Sequence, residues 1–222
     1  MKLSKILVID LDETLTRGGE DRVKPHVREA LFSLKKSGWT LILATGRDRR
    51  YLMRRDDIEG IFDAWVTESG ISVYLPESGI YEYFVDESWR MLVKKLRALP
   101  FVEEKENTVA FKSEYLDVIE AEVSKLGIRA VFRDNKGTIL LLPEGVNKAF
   151  GVREAMKLLK VDGFIAAIGD SEVDLELLEL ADFKAVVANA DPSLMEKADY
   201  VAEREDGDGV VEIIRVLSSR VY

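Results

Sequence analysis

Short apolar runs alternate along the chain with longer segments in which apolar residues recur every three or four positions. The runs at 5–9 and 39–44 are aliphatic and too short for a helix, so each predicts a buried strand. Helical spacing over 25–37, a charged helix over 48–57 and a further strand over 64–67 complete a β-α-β-α-β opening. Such alternation predicts a parallel sheet with right-handed crossovers.

The pattern changes near residue 70, where strands and helices stop alternating regularly. A hairpin is predicted from strands at 71–75 and 80–85. Further elements follow in chain order: a helix at 87–98, an extended piece at 108–112, a helix at 114–126, and strands at 128–133 and 138–142. The last two strands are joined by Asp-Asn-Lys-Gly at 134–137, a sequence suited to a tight turn. Two helices together with paired antiparallel strands predict a small α+β module.

The alternation of strands and helices returns after residue 145. Helices are predicted over 146–159, 173–180, 193–197 and 210–218, and strands over 163–168, 183–187 and 200–201. An acidic, glycine-rich loop is predicted at 203–209. The predicted fold class is therefore α/β, with a Rossmann-like, doubly wound parallel-sheet core. The core comprises residues 1–79 and 144–222, and the α+β module is inserted at residues 80–143.

Composition narrows the classes of function. No apolar run approaches the roughly 18 residues of a membrane span, and the first apolar run ends at once in acids. A cytoplasmic protein without a membrane segment or signal peptide is expected. The chain contains no cysteine, which excludes disulfides and a cysteine nucleophile. Its single histidine, His26, leaves a serine–histidine triad or a multi-histidine zinc site without enough residues.

The charge balance argues against nucleic acid as the main partner. The formal net charge is −9, which would repel a phosphate backbone. The basic cluster at 47–55 is interpreted as the solvated face of a helix. A charged fraction of 33% without cysteine or glutamine is typical of proteins from thermophiles.

Polar side chains stand where predicted parallel strands end or the following helices begin. These positions are Asp10 and Asp12, Thr45 and Gly46, Lys148, and Asp170 with Asp174. In a doubly wound sheet they converge on one crevice. Several acids at one site need a hard cation with oxygen ligands, for which Mg²⁺ is the default. A threonine, a lysine and the amide at a helix start suit an anionic ligand. Together these groups indicate phosphoryl transfer.

The same segments resemble the four motifs of the haloacid dehalogenase-like phosphatases. They read DLDET at 10–14, ATGR at 44–47, NK at 147–148 and GDSEVD at 169–174, and their order and spacing match over essentially the whole chain. An insertion between the second and third motifs resembles the α/β-capped branch, in which the module at 80–143 would be the cap domain. The short cap and total length look most like archaeal phosphoglycolate phosphatases.

The resemblance implies catalytic roles for three residues. Asp10 would be the nucleophile that attacks the phosphoryl group and forms an aspartyl-phosphate. Asp12 would first protonate the leaving alkoxide and then activate water as a base. Lys148 would bridge Asp10 and the phosphate.

The resemblance also implies binding roles. Thr45 and the amide of Gly46 would hold phosphate oxygens, and Arg47 would contact substrate or only solvent. Mg²⁺ would be bound by Asp10, by the backbone carbonyl of Asp12 and by Asp170, with Asp174 as a ligand or close behind. The partner would be a small phosphorylated metabolite, and a homodimer is one of the open oligomeric states.

Two positions depart from the pattern of this family. Glu13 stands where glycine is commonest, and its side chain is expected to face solvent or the cap. Val173 stands where asparagine usually precedes the second acid of the last motif, which puts the surroundings of the metal in doubt.

Other polar features have an ordinary structural explanation beside a functional one. The turns at 68–70 and 134–137 either lie near the site or serve only to reverse the chain. His26 is expected at the surface or in a helix cap, and Asn189 is expected to tie down a loop by hydrogen bonds.

The resulting prediction is a Mg²⁺-dependent phosphatase acting on a small phosphomonoester, with 2-phosphoglycolate as the best guess from resemblance. The motifs do not separate it from a sugar-phosphate phosphatase, a phosphotransferase or a mutase, which differ in substrate or in the group that accepts the phosphoryl. A non-catalytic phospholigand-binding protein is the third alternative.

Overall fold

Two β-sheets with packed helices make up the protein, whose computed structural model describes residues 4–17 and 21–219. The strands are β1 Ser4–Ile9, β2 Trp39–Ala44, β3 Ala64–Thr67, β4 Ser72–Leu75, β5 Ile80–Tyr83, β6 Val102–Glu104, β7 Val109–Lys112, β8 Ala130–Asn135, β9 Thr138–Pro143, β10 Gly163–Gly169, β11 Phe183–Val186 and β12 Tyr200–Val201. The α-helices are α1 Pro25–Lys36, α2 Arg49–Leu52, α3 Glu87–Leu96, α4 Leu116–Lys125, α5 Lys148–Leu159, α6 Leu175–Leu180, α7 Pro192–Met195 and α8 Asp206–Ser219. Single 3₁₀ turns occupy Asp56–Ile58, Glu68–Gly70, Ser113–Tyr115 and Glu172–Asp174.

The larger sheet has eight strands in the order β12-β11-β10-β1-β2-β3-β4-β5. All pairs from β12 to β3 are parallel, and β4 and β5 add an antiparallel edge. The chain leaves β1 towards β2 on one side and returns to β10 on the other. The strand order therefore reverses at β1, and the carboxyl end of this strand opens into the crevice where ligands bind in such sheets.

Alternating side chains of β1 bury both faces of the larger sheet. Leu7 and Ile9 belong to one apolar cluster with residues of α1 and α8. Ile6 and Val8 belong to a second cluster with residues of α5 and α6. Because helices cover both faces, the strand carries an unbroken apolar run rather than an alternating one.

The smaller sheet is antiparallel, with strand order β6-β7-β9-β8, and α3 and α4 pack on it. We call this part of the chain, residues 87–143, the four-stranded unit. Its own apolar cluster includes Trp89, Leu92, Phe111, Ile119 and Leu141. The predicted insertion starts earlier, at residue 80, but β5 pairs with β4 in the larger sheet. The hairpin prediction is confirmed, and this strand lies in the larger sheet because its backbone completes that edge.

The helix predicted at 48–57 is present but shorter. Asp48 caps α2 by accepting the N–H of Tyr51 at 2.8 Å, and the helix ends at Leu52. Beyond its end, Arg55 forms a buried ion pair with Asp57 at 2.6 Å. The interpretation of the basic cluster as a solvated face holds only in part, since four of its five arginines pair with acidic side chains: Arg47 with Asp12, Arg49 with Glu106, Arg50 with Asp48, and Arg55 with Asp57.

The predicted acidic loop at 203–209 is partly helical, because α8 already begins at Asp206. The side chain of Asn189 accepts the N–H of Asp206 at 2.9 Å and donates to the carbonyl of Glu13 at 2.7 Å. Asn189 thus ties the loop after β1 to the start of α8, as expected for this residue. His26 is half exposed and contacts Asp208 at 2.6 Å, which agrees with its expected surface position. Within 4–17 and 21–219, no helix is long and apolar enough to cross a membrane.

Gly70 allows the closest approach between the turn after β3 and the start of α5. Its φ is +108°, and a Cβ built on it would lie 2.0 Å from the carbonyl oxygen of Asn147. We expect Gly70→Ala to lower the free energy of unfolding by about 3 kcal/mol or more, because strain and overlap add. Gly79→Ala is the matched control: φ is +70° and nothing lies within 4 Å of the new Cβ. Gly79→Ala should lower the free energy of unfolding by only about 1 kcal/mol. Urea unfolding measures both, and equal losses would show that the overlap is relieved without cost.

Candidate active site

A cavity of about 460 Å³ lies between the carboxyl end of β1 and the four-stranded unit. The larger sheet contributes Asp10, Asp12, Glu13, Gly46, Arg47, Ser69, Lys148, Asp170, Ser171 and Val173 to its lining. The four-stranded unit contributes Glu103, Lys105, Ala110, Arg133, Asn135, Lys136, Thr138 and Leu140. Segments distant in the sequence thus meet here, as the topology predicts.

Lys148 holds two carboxylates together at the floor of this cavity. Its Nζ donates to Oδ1 of Asp10 at 2.7 Å and to Oδ1 of Asp174 at 2.6 Å. The lysine stands at the first position of α5 because the side chain of Asn147 caps that helix, accepting the N–H of Phe150 at 2.8 Å. Lys148 is only 3% exposed, so its ammonium depends on these acids for its solvation.

Asp174 lies behind the cavity and is fully buried. While Oδ1 accepts from Lys148, Oδ2 lies 3.2 Å from the N–H of Asp170 and 3.3 Å from that of Ser171. The carboxylate therefore orients the turn that carries Asp170, as well as the lysine. Thr14 fixes Asp170 from the other side by donating to its Oδ1 at 2.9 Å. Thr14 belongs to the first motif, but its sequence position gave no sign of this contact.

Burial and mutual repulsion disturb the titration of these acids. Burial raises the pKa of Asp10 well above its usual range, with Asp174 and Asp170 adding to the effect and Lys148 opposing it. Burial together with the charge of Asp174 raises the pKa of Asp170 to about 7. Burial alone would lower the pKa of Lys148, but Asp10 and Asp174 outweigh it and raise the pKa. When all three acids are ionised, they carry more negative charge than the lysine neutralises, which is why burial and mutual repulsion favour their protonated forms.

A divalent cation fits this excess of charge. Asp10, Asp170 and Asp174 each offer an oxygen within 4.8 Å of the others. Among the described residues, Oδ2 of Asp10 and Oδ2 of Asp170 accept no hydrogen bond, and both residues line the cavity. An all-oxygen donor set suits a hard ion. Asp10 and Asp170 would hold it directly, and Asp174 would support them because its own oxygens are engaged.

Asp12 points to a different part of the cavity and is paired with Arg47. Nε and Nη2 of the arginine donate to Oδ2 and Oδ1 of Asp12 at 2.9 and 2.8 Å, which is a two-point contact. The side chain of Asp12 is 27% exposed, and it lies outside the cluster of three buried acids. The guanidinium also lies 4.6 Å from the ring centre of Tyr51. Sequence left open whether Arg47 meets only solvent, whereas in the structure it is held over the site.

Thr45 and Gly46 differ in their access to the cavity. Gly46 lines it, but Thr45 is fully buried, and its hydroxyl accepts the N–H of Arg47 at 3.1 Å. The backbone at this position leads into α2, which has only four residues. Thr45 therefore shapes the turn that presents Gly46 and Arg47.

A buried contact between Glu68 and Asn107 joins the two sheets beside the cavity. Glu68 accepts the backbone N–H and the side-chain amide of Asn107, each at 2.7 Å. Burial raises the pKa of this glutamate. Glu68 and Ser69 both adopt positive φ, 50° and 53°, so the turn is more than a chain reversal. It carries Ser69 to the cavity, whereas Asn107 had no recognisable signal in the sequence.

A doubly wound sheet whose acidic edge is covered by a second, smaller unit is the arrangement of a known class of hydrolases. Comparison with known proteins identifies this class. Residues 7–58 and 77–214 match the family model of haloacid dehalogenase-like hydrolases. A phosphoglycolate phosphatase of Sulfurisphaera tokodaii is 27% identical over 98% of this chain and 96% of its own length. One of Methanosarcina mazei is 32% identical over 97% of each chain. A crystal structure of Thermoplasma acidophilum 0175 superposes with a TM-score of 0.78 at 21% identity, covering 97% of this chain and 99% of that one.

The chain belongs to the haloacid dehalogenase-like hydrolase family. This confirms the predicted family, including its resemblance to archaeal phosphoglycolate phosphatases, and the α/β fold class with a Rossmann-like core and cap. The family and the names of the relatives also support the predicted enzyme class, a phosphoric monoester hydrolase.

Proposed function

We propose that this protein is a Mg²⁺-dependent phosphatase that hydrolyses 2-phosphoglycolate through an aspartyl-phosphate on Asp10. The observation that carries the proposal is the setting of Asp10 at the carboxyl end of β1. One of its oxygens is held by Lys148 at 2.7 Å, while the other accepts no hydrogen bond from the described residues. A carboxylate in this position is oriented for attack on a group in the cavity.

The reaction has two balanced steps. An oxygen of Asp10 attacks phosphorus, the bond from phosphorus to the ester oxygen breaks, and Asp12 gives its proton to the departing alkoxide. Water then attacks the phosphorus of the aspartyl-phosphate and gives a proton to Asp12. Inorganic phosphate leaves and the carboxylate of Asp10 is restored.

Arg47 links substrate binding to the release of Asp12. In the structure the arginine occupies both oxygens of Asp12. A phosphoryl group is a better partner for a planar guanidinium, since it offers more charge and the same two-point geometry. Bound substrate would therefore draw Arg47 away and leave Asp12 able to carry a proton. The amide of Gly46 is a further donor to the phosphoryl oxygens.

Lys148 and the cation would offset the repulsion between Asp10 and an incoming dianion. Bound at Asp10 and Asp170, Mg²⁺ would supply positive charge beside the phosphoryl oxygens. Asp174 orients both Lys148 and the turn of Asp170, which makes it a supporting residue. Thr45 acts through the turn that presents Gly46.

The choice of 2-phosphoglycolate rests on the relatives, several of which bear the name phosphoglycolate phosphatase at 27–32% identity. A small metabolite agrees with the size of the cavity and with a formal net charge of −9, which disfavours nucleic acid.

A panel of phosphomonoesters assayed for phosphate release tests the proposal. We expect the highest kcat/KM for 2-phosphoglycolate, no activity above background in excess EDTA, and recovery on adding Mg²⁺. Because Asp170 holds its proton up to about pH 7, protons compete with the cation below that pH. The Mg²⁺ concentration for half-maximal rate should therefore fall as pH rises from about 6 to about 8.

Other outcomes separate the alternatives. Activity that survives EDTA would contradict the role of the metal. A higher kcat/KM for a sugar phosphate than for 2-phosphoglycolate would change the proposed substrate but not the proposed mechanism. Transfer to an added sugar acceptor in preference to water indicates a phosphotransferase or mutase. Tight binding of phosphomonoesters with no phosphate release identifies a non-catalytic binding protein.

A further inference from the structure

Lys136 stands at the tip of the hairpin that joins β8 and β9, above the candidate metal site. Asn135 and Thr138 pair directly across the hairpin, so Lys136 and Gly137 form a two-residue turn. Their φ values are 52° and 84°, the left-handed pair expected of a type I′ turn. Asparagine, aspartate or glycine suits the first of these positions better than lysine. Turn geometry therefore gives no reason for a lysine here.

Lys136 lines the same cavity as Asp170. Its positive charge is close enough to lower the pKa of that carboxyl, against the raising effect of burial. Nearby, Asp134 accepts the N–H of Gly137 and Lys112 donates to the hydroxyl of Thr138 at 2.9 Å. The turn is thus held by its own neighbours and does not need the side chain of Lys136 to hold it.

Every other cation that lines the cavity already has an acidic partner. Arg47 is paired with Asp12, Lys105 with Glu103, Arg133 with Glu176, and Lys148 with Asp10 and Asp174. Among the residues that the structure describes, Lys136 is the cation of the cavity lining that forms no ion pair. A positive charge without an ion-pair partner in the lining of a substrate cavity attracts an anionic group of the substrate.

We propose that Lys136 binds a carboxylate that the substrate carries next to its phosphoester carbon, and so selects phosphorylated carboxylic acids. This inference rests on the proposed function. The phosphoryl group would lie between Asp10 and Arg47, and the remainder of the substrate would extend towards the four-stranded unit. A lysine suits this role because a compact ammonium meets a carboxylate without a demand for a fixed plane.

The test compares two substrates that differ only in this group, 2-phosphoglycolate and ethyl phosphate. In Lys136→Met, the kcat/KM for 2-phosphoglycolate divided by that for ethyl phosphate should fall about ten-fold or more. Most of the change should lie in KM for 2-phosphoglycolate. Lys136→Arg, which keeps the charge, should restore much of the ratio. Lys94→Met is the matched control on α3, since Lys94 is exposed and does not line the cavity.

If Lys136→Met leaves the ratio of the two kcat/KM values unchanged, whether or not both values fall, the proposed role of Lys136 is overturned. Failure of the proposed function is distinguished by calorimetry on Asp10→Asn, which reads binding without turnover. If the wild-type chain releases no phosphate, yet Asp10→Asn loses affinity for 2-phosphoglycolate when Lys136→Met is added, the phosphatase proposal fails and the subsite stands. If the second substitution leaves that affinity unchanged, the subsite is excluded as well.

Discussion

Asp10→Asn should lower kcat by at least about 10⁴-fold, because an amide oxygen is a poor nucleophile and forms no stable acyl phosphate. The fold should persist, since the amide fills the same space and relieves repulsion from Asp170 and Asp174. Phosphate release under saturating Mg²⁺ and substrate measures the loss, and circular dichroism with thermal melting checks the fold. Asp117→Asn is the control, an exposed acid on α4 outside the cavity lining.

A second measurement on Asp10→Asn separates the nucleophile from the metal site. Mg²⁺ should raise the melting temperature of the wild-type protein and raise that of Asp10→Asn much less, because one of two available carboxylate oxygens is lost. Normal turnover by Asp10→Asn would rule out the aspartyl-phosphate mechanism. Full metal stabilisation of the variant would place the cation elsewhere.

Lys148→Met should reduce both activity and stability. The ammonium lies 2.7 Å from Asp10 and 2.6 Å from Asp174, and all three side chains are buried. Removing the ammonium leaves two buried carboxylates without their cation. This should lower the free energy of unfolding by about 3–5 kcal/mol, less whatever is regained when one carboxylate takes up a proton. Loss of charge beside the phosphoryl group should lower kcat by about 10²–10³-fold. Urea unfolding and steady-state kinetics measure the two effects.

The control for this variant lies on the same helix. Lys157 is exposed on α5 and pairs with Glu154 of the same helix, so Lys157→Met should shift the free energy of unfolding by less than about 0.5 kcal/mol. If Lys148→Met were as active as the wild-type protein, the lysine would hold the fold without assisting the reaction.

Much of the core was predictable because its signals are local. The run at 5–9 is apolar throughout, so β1 could be recognised as a strand buried on both faces without reference to other segments. The same holds for the helical spacing of α1 and for the turn at 134–137. The convergence of Asp10, Lys148 and Asp170 followed from topology alone, since the carboxyl ends of parallel strands share one edge.

Predictions failed where a long-range contact outweighs local pattern. Residues 48–57 have helical composition, yet the helix stops at Leu52, and Asp57 instead accepts the backbone N–H of Val23, 34 positions away, at 2.8 Å. The segment 203–209 looks like a loop, yet Asn189 caps the backbone at Asp206 and α8 begins there. Neither partner is a neighbour in a helical sense, so no periodicity in the sequence reveals the contact.

Local patterning and strand order were enough to predict the fold class and the edge of the sheet where the acids gather, and the resemblance of four motifs predicted the family. The pairing of charges within the site needed the folded chain. Arg47 on Asp12, Lys148 between Asp10 and Asp174, and Lys136 near Asp170 all join residues at least 26 positions apart. Such pairs depend on how the four-stranded unit and the larger sheet pack, because ions attract over a few ångströms of space whatever their separation along the chain.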